Sequence, residues 1–190
     1  MSVVRNRAVR GFTLIELLVV LVLLGVMLVL AAPSFLTFQR NAELTSTANS
    51  FVAALSAARA EAMKYQLRTF VIPGDGVTQT TDWSKGWVVY VDRNTSSTSS
   101  SLLPDSGEII ATQGPIPGTV AVTSSSFVDG SNAYVMFNGA GFMALVGSAF
   151  STDRSIEISN GSENRRIIAS PSGRLRVCKS SETGCSDSSF

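Results

Sequence analysis

From Leu17 to Gln39 the chain runs for 23 residues without a charge. As a helix at 1.5 Å per residue that is about 35 Å, enough to cross a bilayer core of about 30 Å. Arg5, Arg7 and Arg10 precede the run, with no acid among residues 1–11. Such a bias puts the N-terminus on the cytoplasmic side and the rest of the chain across the membrane. The apolar character starts at Phe12 and is broken once, at Glu16. A carboxylate in such a segment costs roughly 2.5–3.5 kcal/mol near the bilayer centre, less near its edge, and usually has a partner.

An ordinary secretory signal fits this segment poorly. The apolar stretch exceeds the usual core of about 7–15 residues. A cut after Ala32 would place Leu30, which is not small, at the third position back, and Pro33 just beyond the cut. A plain anchor leaves Glu16 unexplained. Charged residues make up 15% of the 190, against about 25% in soluble proteins, so part of the chain sits outside water.

The string Arg10-Gly11-Phe12-Thr13-Leu14-Ile15-Glu16-Leu17-Leu18 resembles the class III signal of type IV pilins and pseudopilins. The resemblance implies that a prepilin peptidase cuts the Gly11–Phe12 bond and methylates the new N-terminus at Phe12. Glu16 becomes the fifth mature residue and pairs with the charged amine of a neighbouring subunit in a filament, leaving neither charge alone in an apolar core. Pro33 takes the place of a helix-kinking proline. Three regions follow: a leader at 1–11, a transmembrane and filament-core helix at 12–40, and a periplasmic head at 41–190.

Past Asn41 apolar residues recur at helical spacing: Leu44, Ala48, Phe51, Val52, Leu55, Ala58, Ala62 and Met63. The family suggests one helix from about Leu14 to Gln66. Short runs rich in Val, Ile, Phe and Tyr then alternate with turn residues. They predict strands at Thr69–Ile72, Gly86–Asp92, Glu108–Ala111, Thr119–Val122, Ala133–Phe137, Phe142–Val146, Ser155–Ser159, Arg166–Ala169 and Arg174–Cys178. The expected fold class is α+β, the type IV pilin fold, with a long helix packed on an antiparallel sheet. The serine-rich stretch 94–101 reads as a solvated, mobile connection. Trp83 and Trp87 read as packing residues. The segments Trp83–Asp92, Val135–Gly141 and Ile167–Val177 resemble the FimT/GspH family of minor pilins and pseudopilins.

Residues 41–150 hold five basic and eight acidic residues, whereas Asn164–Ser181 holds Arg165, Arg166, Arg174, Arg176 and Lys179 and no acid. Ser170-Pro171-Ser172-Gly173 reads as the turn of a hairpin. On a strand Arg174 and Arg176 share one face, and Leu175 and Val177 take the other. Paired guanidinium groups suit phosphate. Gly173-Arg174-Leu175-Arg176 matches the Gly-Arg-any-Arg motif of the FimT branch, where it is associated with DNA binding in natural transformation. Arg165, Arg166 and Lys179 are further candidates, although Arg165 and Arg166 face opposite sides, so at most one joins Arg174. The bland alternative is a solvated strand face paired with Glu157 or Glu163, or a contact to a neighbouring subunit. Cys178 and Cys185 lie in a compartment that is oxidising beyond the inner membrane, which favours a disulfide over two free thiols.

The chain has no histidine. That excludes Ser-His-Asp and Cys-His catalysis and every His-ligated metal. Two cysteines cannot build a four-thiolate zinc site. No Gly-rich phosphate loop occurs. Asp82, Asp92, Asp105 and Asp129 lack the regular spacing of a calcium loop. The expectation is a non-enzyme without cofactor or metal: an inner-membrane, single-pass minor pilin that moves to the tip of a pilus and binds DNA for uptake. Its partners would be DNA, other pilins and the prepilin peptidase. The alternative is a structural minor pilin or type II secretion pseudopilin that primes assembly without a ligand.

Overall fold

A computed structural model describes residues 11–98, 101–105, 107–129, 132–146, 148–149 and 152–185, apart from the side chains of 29–33, 124, 129, 148 and 149. The leader arginines and the side chains of Pro33 and Asp129 lie outside the described residues. Helix α1 spans Leu14–Tyr65, and the chain divides into two compact units, Met1–Gln39 and Arg40–Phe190.

In the first unit every described side chain of α1 is exposed, including Leu14, Ile15 and Phe38. A helix apolar all round belongs inside a membrane or a larger assembly. Among the described residues no helix is long and apolar enough to cross a membrane. The span expected from sequence runs through residues 29–33, whose side chains lie outside that search. The helix begins with a reciprocal cap. Thr13 N and Oγ1 donate to Glu16 Oε2 at 3.3 and 3.4 Å, and Glu16 N donates to Thr13 Oγ1 at 3.3 Å. This is the capping-box pattern of a Thr followed three residues later by a Glu.

In the second unit α1 buries Leu44, Ala48, Phe51, Leu55, Ala58 and Ala62, the face foreseen from the spacing. Met63, placed on that face from sequence, instead stays 43% exposed at its flank. The helix stops one residue before Gln66, which takes φ +56°, a left-handed conformation that the α-helix cannot continue.

The strands are β1 (Thr69–Pro73), β2 (Trp87–Val91), β3 (Ile109–Gln113), β4 (Ala121–Ser125), β5 (Val128–Asp129), β6 (Asn132–Ala133), β7 (Val135–Phe137), β8 (Met143–Leu145), β9 (Ser148–Ala149), β10 (Arg154–Ser159), β11 (Asn164–Ala169) and β12 (Leu175–Cys178). Among the described residues the strands pair into the sheets β3-β2-β1-β7-β8-β9 and β12-β11-β10-β4 and the pair β5-β6. All their strand pairings are antiparallel. Both larger sheets lay one face on α1, so Val71, Val89 and Val135 of the first meet Ile156, Ile158 and Ile167 of the second in a shared core. Phe51 is its centre, with the rings of Trp83 and Trp87 edge-on at 5.3 and 5.1 Å. Burying one such ring contributes about 1.5–3 kcal/mol. The tryptophans are therefore packing residues.

The serine-rich connection differs from expectation. Ser97 and Leu102 are buried because Tyr90, itself inside, needs partners for its hydroxyl. That hydroxyl lies 3.0 Å from Ser97 Oγ and donates to Leu102 O at 2.8 Å. Asp92 is buried beside them and pairs with Arg68 Nη2 at 2.5 Å. An unpaired carboxylate there would be costly, so the ion pair ties the stretch to the end of β1.

Candidate functional site

The basic C-terminal residues gather on the sheet β12-β11-β10-β4. β11 and β12 form the hairpin expected, closed by Gly173 N donating to Ser170 O at 2.8 Å and Ser170 N donating to Arg174 O at 3.0 Å. Its register opposes Ile168 to Arg176 and Arg166 to Cys178, and residues directly opposite share a face. Arg166 and Arg176 therefore stand on one face, away from α1, and Arg174, two residues before Arg176, shares that alternation. Arg174 is exposed and Arg176 half-buried. Leu175 packs on the main core from the other side, while Val177 is 40% exposed.

Carboxylates from the neighbouring strand and turn reach this face and its edge. Glu157 on β10 lies opposite Arg166 and accepts from its Nη2 at 2.7 Å and its Nε at 3.1 Å. Burial alone would raise the Glu157 pKa, but the Arg166 hydrogen bonds and charge, with Asn164, hold it below the usual carboxylate range. Glu163 accepts from Arg165 Nη1 at 3.0 Å and lies 3.5 Å from Lys179 Nζ. The Arg165 hydrogen bond and the Lys179 charge hold its pKa low as well. Arg165 is on the face opposite Arg166, as alternation requires. Glu157 and Glu163 thus engage Arg166, Arg165 and Lys179.

Two devices fix the hairpin. Cys178 and Cys185 are joined by a disulfide, which folds the tail over Ile168 in a small apolar cluster. Cys185 O accepts from Arg166 Nη1 at 3.3 Å, and Arg176 Nη2 lies 4.0 Å from where a Cβ on Gly184 would sit. The second device was missed from sequence. Arg59 on α1 donates from Nη1 to Gly173 O at 2.8 Å and from Nη2 to Ser172 O at 3.0 Å. Gly173 has φ +77°, and a Cβ there would lie 2.5 Å from Gly141 O and 2.9 Å from Arg59 Nε. The glycine that opens the Gly-Arg-any-Arg motif is therefore demanded by packing and backbone conformation. Nothing in the local sequence of Arg59 announces this contact.

A cavity of about 690 Å³ lies between residues 74–80 and 112–115, none of them in the hairpin. Its charged lining groups are Asp75 and Lys85, and Asp75 is already engaged by the amides of Val77 and Thr78. Among the described residues no group of three or more acidic, Cys or His side chains is placed to hold a metal ion.

Residues 6–32 match the prokaryotic N-terminal methylation motif. Residues 47–173 match the family described as Type II transport protein GspH. No curated protein matches the chain. Among solved structures, the type IV minor pilin FimU of Pseudomonas aeruginosa is similar with a TM-score of 0.55 and 21% identity, covering 78% of this chain and 98% of that one. The minor pseudopilin EpsH of the Vibrio cholerae type 2 secretion system gives a TM-score of 0.48 and 14% identity over 74% of this chain and 99% of that one. At 21% identity the FimU likeness speaks to the fold alone.

Proposed function

The chain belongs to the Type II transport protein GspH family, and from that membership we propose that it is a minor pilin whose arginine hairpin binds DNA without regard to sequence, for uptake. A prepilin peptidase cuts the Gly11–Phe12 bond and methylates Phe12. The helix from Phe12 holds the subunit in the inner membrane with its head in the periplasm. Assembly with other pilins then carries the head to the cell surface, at the filament tip. The match to the N-terminal methylation motif supports the processing step. Glu16 is the carboxylate that meets a neighbour's N-terminal amine; in the single chain it closes the Thr13 cap instead.

The observation that carries the DNA reading is the placing of Arg176 on the outer strand of a sheet, with Arg174 immediately before that strand. The turn before them is held by Arg59 and the strand after them by a disulfide. Side chains two residues apart on a strand lie about 7 Å apart along it and present bidentate donors to successive backbone anions. Arg166 shares their face with its charge offset by Glu157. Arg165 and Lys179, shared by Glu163, stand at the edge.

A salt series of DNA binding by residues 40–190 tests this. The native head should bind, with a slope of log affinity on log salt near −2.7 for about three phosphate contacts. Arg174→Ala/Arg176→Ala, with its fold checked by circular dichroism, should lose affinity and slope together. Equal binding by both proteins moves the site elsewhere, and no binding by either removes DNA as the ligand. In that last case the second reading holds, a structural minor pilin or secretion pseudopilin that primes assembly. The specific observation in its favour is that Glu157 and Glu163 already engage three of the five basic residues.

A further inference from the structure

We propose that the corner where Phe142 and Met63 meet the hairpin turn at Gly173 is a stacking platform for unpaired nucleobases, which makes single-stranded DNA the preferred ligand of the arginine hairpin. This rests on the DNA-binding reading above and adds a strand preference to it.

Phe142 is 51% exposed. Residues on both sides of it touch the hairpin turn. Gly141 O lies 2.5 Å from where a Cβ on Gly173 would sit, and Met143 N donates to Pro171 O at 3.0 Å. The ring is therefore anchored beside the start of β12. Its backbone is held in place: Phe142 N donates to Asn138 Oδ1 at 3.1 Å, and Asn138 N donates to Phe142 O at 2.9 Å. Met63, 43% exposed, comes within 2.8 Å of where a Cβ on Gly141 would be. A cleft of about 260 Å³ opens between Ser56, Ala60 and Met63 of α1 and the Gly173–Leu175 segment, with Arg59 in its wall.

A single exposed phenylalanine needs no explanation. This one has cationic company. Arg59 forms no ion pair among the described residues, and its guanidinium hydrogen bonds go to two neutral carbonyls. Its Nε lies 3.4 Å from where a Cβ on Gly141, the residue before Phe142, would sit, and the same guanidinium holds the turn that leads into Arg174. A contact to a neighbouring protein would favour an apolar centre depleted of charge. A duplex offers phosphates but keeps its base faces stacked inside. A single strand offers phosphates and open base faces together, and a fixed aromatic beside guanidinium groups matches both.

Fluorescence anisotropy with residues 40–190, a compact unit holding its own core, provides the test. The probes are an oligothymidylate of about 16 nucleotides and a duplex of equal length, each over a salt series. The native head should prefer the single strand. Phe142→Ala should weaken single-strand binding about 5- to 100-fold with the salt slope unchanged, and spare the duplex. Phe142→Trp should restore it. Arg174→Ala/Arg176→Ala should weaken both probes and flatten both slopes. If Phe142→Ala spares both probes, or weakens both equally, the platform is overturned while the hairpin reading stands. If Phe142→Ala instead abolishes self-association of the head and leaves DNA binding intact, the corner is a protein contact and the platform is again overturned. If the native head binds neither probe, both readings fall.

Discussion

Arg59 and Gly173 lie 114 residues apart in sequence, yet Nη1 of the arginine donates to the glycine carbonyl over 2.8 Å. The same guanidinium serves Ser172 O, and its Nε is buried without a partner among the described residues. A long cationic side chain has thus been placed under a turn, where it satisfies two carbonyls and holds the segment that leads into Arg174.

Removing that support should loosen the hairpin. Arg59→Ala should lower the stability of residues 40–190 by about 1.5–3 kcal/mol, the range for a hydrogen bond from a charged donor. Arg59→Lys should recover less than half of this, because an ammonium lacks the planar fork that spans both carbonyls. Urea unfolding midpoints measure both. A neutral Arg59→Ala would mean that the turn holds itself.

Gly173→Ala should cost more than the roughly 1–2 kcal/mol of a left-handed residue alone, because the new Cβ would press on Gly141 O and Arg59. Its second effect should be on the hairpin beyond the turn. Nuclear magnetic resonance of the head should show the largest amide shifts at Arg174–Val177 and in 138–143, with the first sheet at β1 and β2 undisturbed.

Reducing the Cys178–Cys185 disulfide opens a seven-residue link. Loop entropy assigns such a link about 2–3 kcal/mol. Hydrogen exchange should report the loss locally. Amides of β12 and of Ile168, which the tail covers, should lose protection, while those of β1 should keep theirs. Uniform loss across the head would mean that the tail supports the whole core.

Acid should release Arg166. Glu157 and Glu163 are both held below their ordinary value of 4.5. A carboxylate depressed in the folded state contributes stability that is present above its unfolded value and lost as pH falls through the folded one. The ion pairs should therefore stand unchanged from neutral pH to about 4.5 and fail below it. The side-chain signals of Arg166 and Asn164 should move together over that lower window, and Glu157→Gln should abolish the movement. A transition above 4.5 would contradict the arrangement.

The sequence carried the fold through its periodicities. The helical stripe from Leu44 to Ala62 and the β-branched runs that became β1, β2, β10 and β11 announce themselves because each buries a regular face. The two-residue strands β5, β6 and β9 are too short for any alternation to register. Division into separate sheets was equally silent, since strand order is fixed by pairing across distance. At the site, the hairpin and the shared face of Arg174 and Arg176 were legible from turn chemistry and alternation. The engagement of Arg166 by Glu157 needed the register of β10 on β11. Arg59 looked like any polar residue on the solvent side of a helix. The Thr13–Glu16 cap was in plain view as Thr-x-x-Glu, overshadowed by the other meaning attached to the glutamate.

The outer position of β12 has one more consequence. The strand hydrogen-bonds to β11 alone within its sheet, and the loop after it closes on itself through its own disulfide. Of its side chains, Leu175 packs against the main core, and Cys178 belongs to the small cluster under the tail. Val177, 40% exposed, is therefore open to replacement with little structural penalty, provided that Gly173 and Leu175 stay. The same scaffold would tolerate an acidic, neutral or aromatic side chain at Val177. A substitution at an outer strand position of this kind changes the chemistry of the surface while the core beneath keeps its packing.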